Sequence, residues 1–246
     1  PENLRDLILK MAETGAEAGI AFDGDSDRIG VVTAGGDILW GDQLLIIFGR
    51  DILMRQPGAK IIGEVKCSEA LFEEIRKAGG TPIMWKVGHS LIKAKLKEEE
   101  AALAGEMSGH LFFADRYYGY DDAIYAGARL LELLSRSEMN LQEIARTLPK
   151  MYNTPEIRLE CPEHLKQAVV QRVAADFSKD FLVHRIDGVR VKSPHGWGLV
   201  RASNTQPVLV LRFEAASPEY LDEISAEVQT KVEEALAELS AAHSQP

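Results

Sequence analysis

The chain is short of several features that define broad protein classes. It holds only two cysteines in 246 residues, Cys67 and Cys161. They lie far apart and neither belongs to a zinc-ligand pattern, so a disulfide scaffold and a Cys/His zinc module are excluded. Both are expected to be inert small hydrophobes in a reduced, cytoplasmic setting. Positive charge is in deficit: 28 Lys and Arg stand against 38 Asp and Glu, a formal net charge of −10. That balance argues against non-specific nucleic-acid binding and against docking on an anionic membrane, while leaving room for a local basic pocket. No apolar run approaches the length of a membrane span, and no signal-peptide pattern is visible. Internal repeats are missing, and low complexity is confined to the Ala/Ser-rich tail at 240–246. A starting Met is missing too: Pro1 leads directly into an amphipathic stretch with Leu4, Leu7, Ile8 and Met11 on one face. Pro suits a first helical turn, and an opening of this kind leads us to expect a fragment or a processed chain.

What is present is ordinary globular composition, 46% hydrophobic and 27% charged, enough for one to three compact domains. Within it one stretch stands out, Phe22-Asp23-Gly24-Asp25-Ser26-Asp27-Arg28. Carboxylates fall at every second position, and apolar runs (Ile20 to Phe22, Ile29 to Val32) flank them. The pattern predicts two strands joined by a tight acidic loop. Carboxylates this crowded repel one another unless a cation neutralises them. Oxygen-only ligands select a hard divalent ion, Mg²⁺ or Mn²⁺ before Zn²⁺. Arg28 then sits beside the metal as a partner for a phosphate. An isolated Asp-x-Asp is usually a surface turn; three aspartates in register between apolar strands are not. An EF-hand needs Gly at the sixth loop position and Glu at the twelfth. Arg28 and Ala34 occupy those positions, which excludes it.

Taken in order, the chain predicts a helix over 3–14, strands over 19–22 and 29–33, and a hairpin turn at 34–37 into Ile38-Leu39-Trp40. Asp42 is expected to cap a helix that ends at Pro57-Gly58. A β-α-β-α alternation follows: strand 60–65, helix 69–78, strand 82–85, helix 91–100 and strand 102–104. Such alternation implies an α/β fold, a mixed and largely parallel sheet with helices on both faces. Ligands of such sheets bind beyond the carboxyl ends of the strands, where Lys66, His89 and Glu106 fall. Helices over 121–135 and 141–148 close this part, and Pro149 marks a boundary. The remainder reads as a smaller α+β domain: strand 152–159, helix 163–177, a strand pair around Asp187-Gly188, a turn at Gly196-Trp197-Gly198, strand 208–214 and a helix from Pro218 to about Ser240.

Further residues could carry chemistry. Arg201-Ala202-Ser203-Asn204-Thr205 gathers a guanidinium, hydroxyls, an amide and backbone N–H groups, a composition suited to a phosphate or to a plain Ser/Asn turn. Glu106 and Ser108, two apart on an extended segment, face the same way and could accept vicinal sugar hydroxyls. Lys66 and His89 are either surface residues or phosphate contacts. Asp121-Asp122 reads as an N-cap pair rather than a second acidic site. Tyr117, Tyr118 and Tyr120 are expected in the core or at a rim.

With these motifs in place, the chain resembles the α-D-phosphohexomutase superfamily, and within it the bacterial phosphomannomutase/phosphoglucomutase branch. Three motifs carry the resemblance in order: the metal loop Asp23 to Arg28, the sugar loop Gly-Glu-Met-Ser-Gly-His at 105–110, and the phosphate loop Arg-Ala-Ser-Asn-Thr at 201–205. Met107 favours the dual mannose/glucose branch over the glucosamine one. The resemblance implies that Asp23, Asp25 and Asp27 hold Mg²⁺ together with a phosphoserine, and that Arg28 sits near that phosphoryl group. It implies that Glu106 and Ser108 bind the sugar 3- and 4-hydroxyls. Lys66, His89 and His110 would line the cleft, and Arg201, Ser203, Asn204 and Thr205 would hold the phosphate that is not being transferred. The partner would be mannose or glucose 1- or 6-phosphate, with no nucleic acid or membrane, in an enzyme that is monomeric when intact.

The departure is large. The family's catalytic serine lies in a Ser-His-Asn-Pro motif ahead of the metal loop, and no such sequence occurs in this chain. By the resemblance, 1–36 is the tail of domain two, 37–149 domain three and 150–246 domain four. The chain alone is then expected to lack mutase activity. Two other functions fit the residues: a Mg²⁺-dependent phosphatase using Asp23 or Asp25 as nucleophile, and a non-catalytic sugar-phosphate binding module.

Overall fold

The computed structural model describes residues 2–203 and 205–243, which divide into two compact units, 1–149 and 150–246. In unit one a 3₁₀ turn at Glu2–Leu4 leads into α1 (Arg5–Thr14). Then β1 (Ala18–Phe22), β2 (Ile29–Thr33) and β3 (Ile38–Leu39) form an antiparallel sheet of their own. Phe22 pairs with Ile29, so residues 23–28 are the hairpin loop. After it come α2 (Gly41–Arg55), β4 (Lys60–Glu64), α3 (Glu69–Lys77), β5 (Thr81–Trp85), α4 (His89–Glu98), β6 (Leu103–Gly105), β7 (Leu111–Phe113), α5 (Ala123–Arg136) and α6 (Leu141–Arg146).

The second sheet runs β5-β4-β6-β7, with β5, β4 and β6 parallel and β7 antiparallel on the edge. Successive strand residues point to opposite faces, and the sequence supplies each face with a helix. Ile62, Ala104 and Phe112 pack with Ile92 and Leu96 of α4. On the other face Gly63 lets α3 approach; a Cβ there would meet Leu71 Cδ2 at 2.5 Å. Helix α2 is apolar almost all round, with Leu44, Leu45, Ile46, Ile47, Phe48, Ile52 and Leu53 all buried, as an interior helix should be.

Unit two contains β8 (Tyr152–Asn153), β9 (Ile157–Glu160), α7 (Lys166–Phe177), β10 (Leu182–His184), β11 (Val189–Lys192), β12 (Gly196–Ala202), β13 (Val208–Ala215) and α8 (Pro218–His243). Its sheet is antiparallel in the order β10-β11-β12-β13, with β8 and β9 both pairing with β13. One face sets Val189, Val191, Val200, Leu209, Leu211 and Phe213 against Val169, Val173 and Phe177 of α7 and Ile224, Val228 and Val232 of α8. Burying each such side chain stabilises the unit by roughly 1.5–3 kcal/mol before chain entropy is counted. The opposite face is polar and equally buried. Arg190, Leu199 and Arg212 align across three strands. The Arg190 guanidinium lies 3.8 Å over the Trp197 ring, and Trp197 Nε1 donates to Glu214 Oε1 at 2.8 Å.

Several expectations are corrected. Asp42 is not the residue ahead of α2 but the second residue within it, since the helix begins at Gly41; its buried carboxylate accepts the Gln43 N–H at 2.9 Å and also the Ser68 N–H at 2.8 Å. Helix α4 starts at His89, two residues early, which makes His89 its first residue. Strand β7 has no counterpart in the sequence pattern. Segment 152–159 is two strands, interrupted around Pro155, which has no N–H to give a ladder. The Gly196-Trp197-Gly198 turn is in fact the start of β12, where Gly198 leaves room for the Phe213 ring. Both cysteines are buried, and they form no disulfide. Among the described residues no helix is long and apolar enough to cross a membrane.

Candidate functional site

The acidic loop folds around Asp23. Its carbonyl accepts the Ser26 N–H at 3.2 Å, and its Oδ1 accepts the Arg28 N–H at 3.1 Å. Ser26 adopts φ 60°, in the left-handed region, to complete the bend. The result brings carboxylate oxygens of Asp23, Asp25 and Asp27 within 4.8 Å of one another. Arg28 Nε lies 2.7 Å from Asp23 Oδ2 and 3.5 Å from Asp27 Oδ1. Neither of those oxygens receives an aligned N–H, so both remain buried without a hydrogen bond. Burial, together with the neighbouring Asp23 and Asp25 charges, holds Asp27 above the usual carboxylate range even though His110 pulls it down. Burial raises Asp23 as well, but the Arg28 backbone N–H and guanidinium outweigh it and leave that carboxyl below its usual value. Orphaned buried oxygens in a crowded carboxylate set are what a hard divalent cation would satisfy, so the donor set fits Mg²⁺.

The sugar-loop motif lies against this loop. The Ile29 N–H donates to the Gly109 carbonyl at 3.1 Å, and Arg28 and His110 form an isolated backbone bridge. Gly109 has φ 101°, and a Cβ there would meet Ile29 O at 2.6 Å, so only glycine allows this approach. The loop is the turn between β6 and β7, closed by the Glu106 N–H donating to His110 O at 2.9 Å. Glu106, 6% exposed, accepts the Gly88 N–H at 2.7 Å through Oε1 and the Ser108 hydroxyl at 3.0 Å through Oε2. Beneath it the fully buried Glu64 ends β4 and accepts the N–H groups of Lys66 at 2.6 Å and Met107 at 3.4 Å. Burial pushes the Glu64 carboxyl up to about 7, against the pull of Lys66.

Two histidines complete this region. His110 Nδ1 is 3.0 Å from Asp121 Oδ2 and 3.6 Å from Asp27 Oδ2. His89 Nδ1 is 3.7 Å from the same Asp121 oxygen, and the two imidazoles stack at 5.7 Å. The expected Asp121-Asp122 cap pair is therefore split. Asp122 caps α5 through the Tyr125 N–H at 2.8 Å, while Asp121 serves the histidines. Of the tyrosines, Tyr118 and Tyr120 are exposed, at a rim rather than in the core.

In unit two, Arg201 sits near the end of β12, buried, with NH2 at 3.2 Å from Asp187 Oδ2. The turn to β13 begins with the Ser203 N–H donating to Val208 O at 3.0 Å. Ser203 Oγ accepts the N–H groups of Thr205 at 3.3 Å and Gln206 at 3.2 Å. Asn204 lies outside the described residues. From below, Lys166 Nζ donates to the carbonyls of Ser203 at 2.6 Å and Gln206 at 2.9 Å.

The structure thus gathers Asp23, Asp25, Asp27, Arg28 and His110 around one loop pair, and sets Lys66, His89, Glu106 and Ser108 past the carboxyl ends of β4, β5 and β6. Arg201, Ser203 and Thr205 share one turn region of unit two. Sequence reasoning missed Asp121, Glu64 and Lys166. A signal existed for the last two, each a single charge inside an apolar pattern: Glu64 after Ile61 and Ile62, Lys166 three and four residues before Val169 and Val170.

Two family models match the chain: "Phosphoglucomutase/phosphomannomutase, alpha/beta/alpha domain III" over residues 40–152 and "Phosphoglucomutase/phosphomannomutase, C-terminal domain" over 156–231. A phosphomannomutase/phosphoglucomutase of Pseudomonas syringae pv. tomato is 52% identical over 224 residues, which is 91% of this chain and 48% of that protein. A phosphoglucomutase of Neisseria gonorrhoeae is 47% identical over 236 residues, 95% of this chain and 51% of that one. Among solved structures, a phosphoglucomutase/phosphomannomutase family protein from Burkholderia thailandensis superposes with a TM-score of 0.89 at 48% identity, covering 96% of this chain and 50% of its own. The chain spans about half the length of the curated relatives it matches.

Proposed function

The chain belongs to the phosphoglucomutase/phosphomannomutase family, and from that premise we propose that it carries the metal-, sugar- and phosphate-binding parts of an enzyme interconverting hexose 1-phosphate and 6-phosphate. Mannose and glucose are the sugars, and the reaction runs through a phosphoserine and a bisphosphorylated sugar. Residues 1–36 are the end of a preceding domain, a reading supported by the first family match, which begins only at residue 40. Asp23, Asp25 and Asp27 hold the metal. Bound there, Mg²⁺ would supply charge neutralisation to a phosphoryl group.

The chain's own side chains divide the remaining work. Each Glu106 oxygen already has one internal donor, which fixes the carboxylate and leaves it lone pairs for adjacent sugar hydroxyls. Ser108 adds a second group on the same turn. Arg28, Lys66 and His89 supply cationic or donor contacts to phosphate, and Arg201, Ser203, Asn204 and Thr205 hold the phosphate that stays on the sugar. His110, oriented at Nδ1 by Asp121, is left with Nε2 to take or give a hydroxyl proton.

The observation that carries this reading is the joining of the acidic loop to the sugar turn through Gly109 and Ile29. Calorimetry with glucose 1-phosphate in the presence of Mg²⁺ tests it. Binding is expected for the wild-type chain and lost in Glu106→Ala, and equal affinity in that variant would overturn the sugar assignment. The family's serine motif is not among these residues, so a coupled assay should detect no conversion of the bound sugar; robust turnover would refute this part.

A further inference from the structure

We propose that Lys166 is a positioning residue that presets the turn at 203–206 for an anion. The inference rests on the reading above that this turn holds phosphate. Lys166 is the first residue of α7 and is 3% exposed, an unusual place for an ammonium group. Its desolvation is offset by two backbone carbonyls, Ser203 O at 2.6 Å and Gln206 O at 2.9 Å, and by Glu163 Oε2 at 2.7 Å.

The two carbonyls belong to residues three apart in the chain, between β12 and β13. Collected by one cation, they present their negative ends inward, away from any anion that the turn receives. Ser203 Oγ meanwhile accepts the Thr205 and Gln206 N–H groups. A hydroxyl whose lone pairs are occupied in this way keeps its own hydrogen to donate. Lys166 therefore occupies two carbonyl acceptors of the segment, which leaves the Ser203 hydroxyl hydrogen facing less competition from them, and it places a positive charge beneath. No contact between Lys166 and the ligand is needed.

Titration calorimetry with inorganic phosphate, on the wild-type chain and four variants, separates the possibilities. Lys166→Met is expected to weaken phosphate by about tenfold or more, the range for losing hydrogen bonds to a charged group. Lys166→Arg, which can still donate to two carbonyls, should recover most of that loss. Val169→Ala removes buried apolar atoms from the same helix and should lower the melting temperature while leaving affinity unchanged. Arg201→Ala tests the underlying reading: if it binds phosphate as the wild type does, the turn is not the phosphate site. Amide exchange provides a readout without ligand. Lys166→Met should speed exchange at Thr205, Gln206 and Val208 by about tenfold relative to Val169→Ala. The proposal fails if Lys166→Met leaves those amides as protected as Val169→Ala does, whatever phosphate does. It also fails if both variants lose affinity equally.

Discussion

The two units each hold a turn with a buried ionisable side chain, and the two side chains are of opposite sign. In unit one Glu64 lies under the turn at 106–110 and accepts backbone N–H groups. In unit two Lys166 lies under the turn at 203–206 and donates to backbone carbonyls. A peptide group has one donor and one acceptor, and each buried charge satisfies groups of one kind alongside internal bonds such as Gly41 N–H to Met107 O and Ser203 N–H to Val208 O. The carboxylate consumes donors under a turn proposed to accept hydroxyls from a sugar. The ammonium consumes acceptors under a turn proposed to donate to a phosphate. A side chain that touches no ligand can thus set the polarity of the surface above it.

The largest break in this comparison should come from Gly109→Ala. The unit-one turn is fixed from the side as well as from below, since Gly109 sits at φ 101° with Ile29 O where a Cβ would go. Strain and displacement together should destabilise unit one by roughly 3 kcal/mol, read as lost amide protection across residues 23–29 and 105–113. Unit two should keep its protection. Loss in both would mean that the two turns are not independently held.

Next in size is the pH response of Glu64. Its carboxyl is raised from 4.5 to about 7, so the folded chain binds that proton more tightly than the unfolded chain. The stability this provides is complete below about pH 4.5 and is lost as pH rises through 7. For a fully buried group the difference amounts to about 3 kcal/mol at most. Glu64→Gln should flatten that slope: the wild type loses stability relative to the variant between pH 4.5 and 7.5 in denaturant titrations. Parallel curves would show that burial does not raise the Glu64 carboxyl in the folded chain.

A smaller effect separates the units by ligand. Mg²⁺ at tenfold excess over its dissociation constant should stabilise unit one by about 1.4 kcal/mol and leave unit two unchanged. Asp25→Asn should remove the response. Stabilisation of unit two by Mg²⁺ would contradict the division of labour.

How much of this could be read in the sequence depends on periodicity. The acidic loop was legible as a hairpin turn because short polar residues interrupt two apolar runs, and β2 has the expected bounds of 29–33. The parallel strands were legible from β-α alternation. Strand β7 was not, because Leu111, Phe112 and Phe113 are all buried in only three residues and show no alternation. The Asp121–His110 contact was hidden for a different reason. Asp121 adjoins a true N-cap, and local capping chemistry accounts for both aspartates until the fold brings β7 beside them. Glu64 and Lys166 each break an apolar pattern, but a single charge in such a pattern does not reveal which backbone groups it meets.

The smallest prediction tests what holds Lys166 itself. Its Glu163 partner is 73% exposed at the side chain, and exposed ion pairs contribute about 0.5 kcal/mol or less. Glu163→Gln should therefore change the melting temperature little. Phosphate affinity should rise slightly, by about twofold at low salt, because a negative charge near a proposed anion site has gone. If instead Glu163→Gln matched Lys166→Met in weakening phosphate, the ammonium would be anchored by its surface carboxylate rather than by the two carbonyls. Lys166 would then be an ordinary helix-start ion pair, and the mirror relation to Glu64 would have no physical basis.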